Sequence, residues 1–436
     1  MLERTTRRFI CFGAGLMLAC ASQGAASGPA PAQGATGSGT TSAQEPRAIV
    51  PSLPSATHYR GGYNARATSK PTDPLLAALL QNLSGNKDGP FADTRLARVA
   101  TELAVIGNPG DLTMQQFLLA YHGVVEPEIT MQVLRYSVRP EAQLVSALTT
   151  QLRADWKGLA PKAYGIGVSR NAKFVDVGVV WLDQVLNMDS IVRRLPASGT
   201  TVIRTVLRPG LSQPDAMLQL PAGRLGRIPV RQQGNVVTVE FRCVDGAGVY
   251  QVELVATGKE GVTVLANFPL WCGTNPPERL AVSNGTPRRG QDPVAIAADL
   301  LARLNQSRRE SGLDPLVPAK ELDSVALQHS AAMAKAGRAA HRLPKGGEAP
   351  DRLRAAGITA RVIMENVGLQ SAHGTDTRVD AQGASAAEIH AAFMASPGHR
   401  VNILSDATTH CGIGVVRALN AEGIAVFYVT ELFVAY

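Results

Sequence analysis

The amino-acid sequence of 436 residues lacks several features that mark common classes of protein. After residue 20, no apolar run reaches the roughly 18 residues that a membrane-spanning helix needs. The net charge is +8, but Lys and Arg are scattered, never form a block of five and belong to no nucleic-acid-binding motif, so no nucleic-acid partner is expected. A composition of 45% hydrophobic and 18% charged residues excludes whole-chain disorder, collagen and a coiled coil.

The first 20 residues predict export. A positively charged start precedes an apolar core of signal-peptide length, Phe9–Leu18. Two processing sites overlap behind this core: Ala19-Cys20-Ala21 fits cleavage to a soluble protein, whereas Met17-Leu18-Ala19-Cys20 resembles a bacterial lipobox, in which Cys20 becomes the lipidated N-terminus. We predict the lipoprotein form, which has the membrane as a partner through its lipid anchor, and keep secretion of a soluble protein as the alternative.

Residues 21–70 are rich in Ala, Gly, Ser, Thr and Pro. They predict a disordered linker, because such a segment cannot bury enough apolar surface to fold. A flexible coil of about 50 residues spans roughly 40 Å, which would hold the folded part of a lipid-anchored protein away from the membrane. The linker therefore favours the lipoprotein prediction.

Cysteine is scarce, with five residues in the chain, and two of them belong to the predicted signal peptide. In the oxidising compartment that export implies, Cys243 and Cys272 could cross-link two strands of one domain. Cys411 is the odd cysteine. It lies in an apolar, strand-like run, where a buried free thiol is expected.

Two folded segments follow the linker. Residues 71–196 predict a mixed α/β domain, with helices over 75–83, 94–106 and 141–156 and extended runs over 164–169 and 174–182. Residues 198–273 predict a small β-sandwich, because apolar and polar residues alternate along several short runs that Gly-containing turns separate. Neither segment shows a tight cluster of catalytic side chains, and we interpret the sandwich as a spacer or a binding module.

A linker over 274–290 leads to the last domain, 291–436. Asp292 can cap a helix that starts at Pro293, a second helix is predicted over 319–336, and Ser385 with Glu388 fits a capping box before a third. Strands over 411–416 and 424–434 close the chain. The sequence therefore predicts a multidomain α+β protein whose C-terminal domain packs helices on a short sheet.

Several motifs of the last domain occur in the order of one known family. They are Leu304-Asn305 with Arg308, His329-Ser330, His341, Asp351–Gly357, Glu365-Asn366-Val367, the most specific run Phe393-Met394-Ala395-Ser396-Pro397-Gly398-His399-Arg400-x-Asn402, then Gly412–Val415 and Tyr428–Phe433. This third of the chain resembles the CAP superfamily of cysteine-rich secretory, antigen 5 and pathogenesis-related proteins, in its bacterial SCP-domain form. The resemblance implies an α–β–α sandwich with a groove whose floor holds two His and two Glu.

Two of the four groove positions match this sequence. His341 and Glu365 fall on the first His and the first Glu of the family pattern. Ser396 and Tyr428 stand where eukaryotic members have the second Glu and the second His. His399 and Glu431 are therefore the candidates to complete the group.

An imidazole and a carboxylate that meet can bind a divalent cation or act as an acid–base pair. Because zinc needs three or four protein ligands and the pattern supports His341 and Glu365 alone, any divalent metal such as zinc is expected to bind weakly. We predict an exported cell-envelope protein whose groove binds a lipid, a glycan or a peptide. Two alternatives stay open: a metal-assisted hydrolase or peptidase that uses His341 and Glu365, and an adhesion scaffold with a vestigial groove.

An internal similarity adds a hypothesis about the first domain. Tyr164-Gly165-Ile166-Gly167-Val168, followed by an apolar strand, parallels Cys411-Gly412-Ile413-Gly414-Val415, which is also followed by one. Residues 71–196 are therefore a candidate degenerate CAP-like copy that lacks the His and Glu positions.

Overall fold

The computed structural model describes residues 5–12, 47–67, 71–83, 89–107, 112–156, 161–282, 292–371, 385–420 and 425–436. These residues form an N-terminal α/β unit, a β-sandwich and a C-terminal α/β unit. The predicted lipidation site Cys20, most of the predicted signal peptide 1–20 and residues 21–46 of the predicted linker lie outside the described residues. Among the helices that are described, none combines the length and the apolar character needed to cross a membrane.

The N-terminal unit contains the helices and strands that its sequence predicts. Up to its last strand the chain forms β1 (Thr5–Phe12), β2 (Arg47–Ile49), β3 (His58–Tyr59), a 3-10 turn (Gly62–Ala65), α1 (Pro74–Leu83), β4 (Phe91–Ala92), α2 (Thr94–Ile106), α3 (Leu112–Tyr121), β5 (Ile129–Ser137), α4 (Glu141–Trp156), β6 (Ala163–Arg170) and β7 (Phe174–Leu182). The N-cap Asp93 starts α2 by accepting hydrogen bonds from two backbone N–H groups, and Gly107 ends it in the left-handed conformation.

The predicted linker 21–70 is too long at its C-terminal end. Residues 47–67 pack against the N-terminal unit: the backbone N–H groups of Ser52 and Leu53 both donate to the buried carboxylate of Glu102 at 2.8 Å. Tyr59 is fully buried. Composition alone did not predict this packing, because a few apolar side chains and a buried hydrogen-bond acceptor are enough to fix a segment that is otherwise polar.

The β-sandwich has two sheets, ordered β10-β17-β16-β12-β13 and β14-β15-β11-β8. Its strands are β8 (Asn187–Met188), β10 (Arg194–Leu195), β11 (Thr200–Val206), β12 (Ser212–Gln219), β13 (Leu225–Arg227), β14 (Val230–Gln233), β15 (Val236–Arg242), β16 (Gly248–Gly258) and β17 (Gly261–Cys272). The short strand β9 (Ile191–Val192) lies between β8 and β10 in the chain and pairs with β3. The predicted disulfide between Cys243 and Cys272 is present and joins the ends of the two sheets. The predicted boundaries are corrected, because β8 and β10 precede residue 198 and because β18 (Leu280–Val282), in the predicted linker 274–290, pairs with β2.

The C-terminal unit consists of α5 (Pro293–Glu310), β19 (Val317–Pro318), α6 (Lys320–Ala336), α7 (Ala349–Ala355), β20 (Val362–Ser371), α8 (Ala386–Ala395), α9 (Pro397–Ile403), β21 (His410–Leu419) and β22 (Ala425–Ala435). Alternate residues of β22 face opposite sides: Leu432 and Val434 pack with α6 and α7, whereas Phe427 and Phe433 pack with α5 and α8. The unit is therefore an α–β–α sandwich.

Two local predictions for this unit are confirmed and one is wrong. Asp292 caps α5 as expected, and Cys411 is buried and free. The capping box predicted at Ser385 is not formed: Ser385 makes no side-chain cap, and Glu388 accepts a hydrogen bond from Gln370 at 2.6 Å instead.

The two α/β units order their strands in the same way. The C-terminal unit has the order β19-β21-β22-β20, and the N-terminal unit has the corresponding order β4-β6-β7-β5. Strand β1 lies between β20 and β5, antiparallel to both, and joins the two sheets into one of nine strands. Because β1 falls in the predicted signal peptide, the predicted export would remove it and leave two separate four-stranded sheets.

Candidate functional site

The candidate site lies where three elements of the C-terminal unit meet. Helix α6 ends at Gly337, whose positive φ of 69° turns the chain into the loop that carries His341. Strand β20 carries Glu365, and the short helix α7 carries Arg352. The elements are far apart in sequence, so only the folded sheet brings these side chains together.

His341 and Glu365 are in direct contact, as the sequence predicts. Nδ1 of His341 lies 3.0 Å from Oε1 of Glu365. The His341 side chain is 25% exposed, whereas that of Glu365 is 5% exposed. The imidazole is thus the member of the pair that solvent or a ligand can reach, and the carboxylate lies behind it.

Arg352 organises the same site from the opposite side. Its guanidinium bonds to Oε2 of Glu365 and also donates to the backbone carbonyls of His341, at 3.0 Å, and Gly347, at 2.8 Å. Arg352 therefore holds both the carboxylate and the loop that presents the imidazole. A bond from an ionised donor to an ionised acceptor is among the stronger hydrogen bonds in proteins.

The charges around Glu365 favour its ionised form. Burial alone would raise the pKa of Glu365, but the hydrogen bond and charge of His341 and the charge of Arg352 outweigh burial and lower the pKa below its ordinary value. His329, on α6, is buried and bonds through Nε2 to the carbonyl of Ala340 at 2.9 Å. His329 is therefore a core histidine whose hydrogen bond holds the loop that carries His341.

His399 lies near the pair without contacting Glu365. Its ring packs edge-on against Phe393, with 5.0 Å between centroids, and its backbone carbonyl accepts a hydrogen bond from Asn366 at 3.2 Å. Burial, and then the charge of His341, lower the pKa of His399 to about 3, so this imidazole is neutral. These contacts position α9 against β20.

Glu431 does not join the group, which corrects its place in the predicted tetrad. Neighbouring residues of a strand face opposite sides of the sheet, so Asn366 points away from Glu365. Glu431 accepts a hydrogen bond from Asn366 at 3.0 Å and is fully buried on that other face. Burial raises the pKa of Glu431 to about 7, with the hydrogen bond from Asn366 opposing the shift.

A metal would find two candidate ligands at this site, His341 and Glu365. Within the described parts of the chain, no group of three or more His, Cys, Asp or Glu side chains is arranged to hold a metal ion. Glu365 already bonds to the imidazole of His341 and the guanidinium of Arg352. The pair fits a hydrogen-bonding or general-base role better than a closed zinc site, which needs four ligands.

Comparison with known families decides the identity of this unit. Residues 301–433 match the family model described as the cysteine-rich secretory protein family, CAP. The C-terminal unit is a CAP domain. No curated protein matches the chain.

Solved structures similar to this chain include three bacterial proteins. They are an outer surface protein from Borrelia burgdorferi (19% identity, 33% of this chain and 96% of that one, TM-score 0.27), an extracellular protein containing an SCP domain from Bacillus anthracis (16%, 58% and 85%, 0.27), and a cysteine-rich secretory protein from Staphylococcus aureus (13%, 65% and 90%, 0.25). The identities and TM-scores are low, and the assignment of the CAP domain rests on the family match.

Two residues that hold this CAP domain together were not among the predicted site residues. Arg352 lies in the motif Asp351–Gly357, but that motif suggested no role for it. Asn366 follows Glu365 directly and links β20 to both α9 and β22. Each is a polar residue at a buried position, and its burial can be recognised only once the position of strand β20 in the sheet is known.

Proposed function

We propose that this protein is an exported, lipid-anchored protein of the cell envelope and that its CAP domain binds an envelope ligand through His341. The contact of 3.0 Å between Nδ1 of His341 and Oε1 of Glu365 carries the proposal. A carboxylate that engages one ring nitrogen fixes the orientation of the imidazole and directs the second nitrogen toward a ligand.

The net charge of the chain, +8, supports a ligand with negative charge, whether a lipid, a glycan or a peptide. At the site itself, Arg352 and Arg338 are already paired with Glu365 and Glu260. The attraction therefore comes from the chain as a whole, since a protein with net positive charge favours acidic partners at long range.

Zinc titration tests whether a divalent metal takes part. If zinc binds at His341, it should raise the melting temperature of the full chain in proportion to its occupancy. His341→Ala should remove the rise, and His58→Ala, in the N-terminal unit, should retain it. A wild-type chain whose melting temperature does not respond to zinc would mean that His341 binds its ligand without this metal.

The lipid anchor has its own test. Metabolic labelling with a fatty acid should mark the wild type and the control variant Cys11→Ala, and it should spare Cys20→Ala. An unlabelled wild type that is recovered outside the cells would replace the anchor with plain secretion.

A metal-assisted hydrolase is the second candidate, because an imidazole oriented by a carboxylate is also suited to accept a proton. This candidate predicts cleavage of an envelope-derived peptide or ester, with a large loss of rate in Glu365→Gln. Equal rates in that variant and the wild type would remove the candidate.

A further inference from the structure

One buried carboxylate links the β-sandwich to the CAP domain. Glu253, on β16, is fully buried, and its Oε1 accepts a hydrogen bond from the backbone N–H of Gly398 at 2.8 Å. Its Oε2 accepts from the hydroxyl of Ser396 at 2.6 Å and from the side-chain amide of Asn267 at 2.7 Å. Ser396 and Gly398 belong to the most specific CAP motif of the chain, so the sandwich contacts the CAP domain at its signature sequence.

The contact with Glu253 explains why residue 398 is a glycine. A Cβ atom placed at residue 398 would lie 2.7 Å from Oε1 of Glu253 and 3.4 Å from Sδ of Met217, on β12. The backbone of Gly398 has no positive φ. The glycine is therefore needed to make room for the carboxylate and not for its conformational freedom.

A second contact lies at the turn between β16 and β17. The backbone carbonyl of Glu260 accepts from the N–H of Arg342 at 2.9 Å, and its carboxylate pairs with Arg338 at 3.0 Å. A Cβ atom at Gly261 would lie 2.8 Å from Cβ of His341. The tip of this hairpin thus touches the loop that carries the candidate ligand-binding imidazole.

The two contacts lie on the same hairpin, one in the middle of β16 and one at the tip between β16 and β17. Glu253 meets the start of α9, and Gly261 meets His341. Asn402, on α9, donates to the backbone carbonyl of Glu365 at 3.1 Å, so the two contact points flank the His341–Glu365 pair. The hairpin β16–β17 therefore runs along the candidate site.

We propose that the β-sandwich is a docked cover of the His341–Glu365 site, that Glu253 is the latch that holds the cover on the CAP domain, and that a ligand reaches His341 fully only when this latch opens. The cover gives the sandwich a regulatory role in place of the role as a spacer or a binding module that its sequence predicts. The regulatory role of the cover rests on the proposed ligand site, whereas the docking of the sandwich on the CAP domain does not depend on that site.

The energetics of Glu253 fit a latch that can open. Burial raises the pKa of Glu253 to about 7, with the hydrogen bonds from Ser396, Gly398 and Asn267 opposing the shift. The three groups that donate to the carboxylate are neutral, and Met217 stands opposite Glu253 in the pairing of β12 with β16. Neutral donors offset less of the desolvation cost of a buried carboxylate than a paired cation would, so undocking returns part of that cost.

The reactivity of His341 toward diethyl pyrocarbonate, followed in the full chain by mass spectrometry, tests the cover without any ligand. Glu253→Ala removes the latch, and Gly398→Ala wedges a methyl group against it. Each should raise the rate of modification of His341 by about tenfold or more, a factor that corresponds to about 1.4 kcal/mol of docking free energy. Glu240→Ala, at an exposed residue of β15, is the matched control and should leave the rate unchanged.

Two internal checks separate opening from unfolding. His329, in the core of the CAP domain, should stay unreactive in every variant, since it reacts only if that domain unfolds. In the Glu253→Ala background, Gly398→Ala should add no further increase, because the space that its methyl group needs is then empty. Equal His341 rates in the wild type and both single variants, or additive effects in the double variant, would overturn the cover. Neither result depends on zinc or ligand binding, so failure of the cover is distinct from failure of the proposed function.

Discussion

The N-terminal α/β unit and the CAP domain use the same framework for different ends. In both, a two-residue strand pairs in parallel with the first strand of an antiparallel hairpin: Phe91–Ala92 with β6, and Val317–Pro318 with β21. In both, the helix that follows this short strand, α2 or α6, packs on the hairpin. The first helix of each unit also packs on a later helix, α1 on α4 and α5 on α8. The same order of elements therefore builds both units.

Four glycines show how close the correspondence is. Cβ atoms at Gly165 and Gly167 would lie 2.1 and 2.2 Å from backbone atoms of α2, and Cβ atoms at Gly412 and Gly414 would lie 2.3 and 2.2 Å from backbone atoms of α6. Two strands with the same Gly-x-Gly spacing thus receive a helix at the same unusually short distance. We propose that the N-terminal unit is a degenerate copy of the CAP domain.

The two units differ at the position that carries chemistry. Gly165 pairs with Val180, which pairs with Met131 on β5; the matching path in the CAP domain leads from Gly412 through Leu432 to Glu365. The N-terminal unit therefore has a buried methionine where the CAP domain has its site carboxylate. The packing of a strand against a helix can therefore be kept while the site is lost.

The largest expected effect comes from the shared glycines. Gly165→Ala and Gly412→Ala should each lower the free energy of unfolding by about 4 kcal/mol or more, because the added methyl group meets helix backbone and not a flexible side chain. Chemical denaturation measures both, and Gly226→Ala, where a Cβ atom has nothing within 4 Å, is the control. A small loss in one unit and a large one in the other would break the correspondence.

The next largest effect on stability comes from exchanging Glu365 and Met131, the residues at the position where the two units differ. Glu365→Met should cost about 3 kcal/mol, since it leaves the guanidinium of Arg352 buried without its carboxylate. Met131→Glu should cost about as much, because it places a carboxylate in the apolar core around β5. Denaturation midpoints of the two variants measure this, with the exposed Glu240→Met as the control. A tolerated Met131→Glu would mean that the N-terminal unit still has a polar site at this position.

Sequence reasoning predicted the parts of the molecule that rest on local patterns. The helix over 94–106 and the strand over 174–182 follow from residue patterns, and the Cys243–Cys272 disulfide follows from the cysteine count and the predicted export; the structure contains all three. The contact between His341 and Glu365 followed from the family motif.

Long-range contacts account for what sequence reasoning could not predict. Nothing near Glu253 in the sequence shows that a distant serine and glycine bury its carboxylate, and the face that Glu431 occupies depends on the register between β20 and β22. Such contacts are set by how units pack, so a pattern read along the chain does not contain them.

Glu431 predicts a pH dependence that the N-terminal unit should lack, since the matching position there is Val179. With a pKa of about 7 in the fold, against an ordinary value of 4.5, the contribution of Glu431 is fully present below pH 4.5 and is lost as the pH rises through 7. Glu431→Gln does not titrate, so its stability relative to the wild type should rise by roughly 3 kcal/mol between pH 4 and pH 8. Melting curves across this range measure the difference, and Val179→Ala should show a difference from the wild type that does not change with pH. A Glu431→Gln difference that is also constant would show that the fold does not raise the pKa of this carboxyl group.

The smallest effect concerns the start of the helix that packs on the glycines. Asp93 caps α2 three residues before Leu96, which contacts Gly165, whereas Ala319 stands three residues before Leu322, which contacts Gly412, and offers no side-chain cap. Ala319→Ser should supply the missing acceptor and raise the free energy of unfolding by about 0.5 to 1 kcal/mol. Ala319→Val, which adds bulk without an acceptor, separates capping from packing at this largely buried residue. If serine and valine shift the denaturation midpoint equally, the two helices begin differently, and the correspondence between the units is limited to the strands and the helix faces that pack on them.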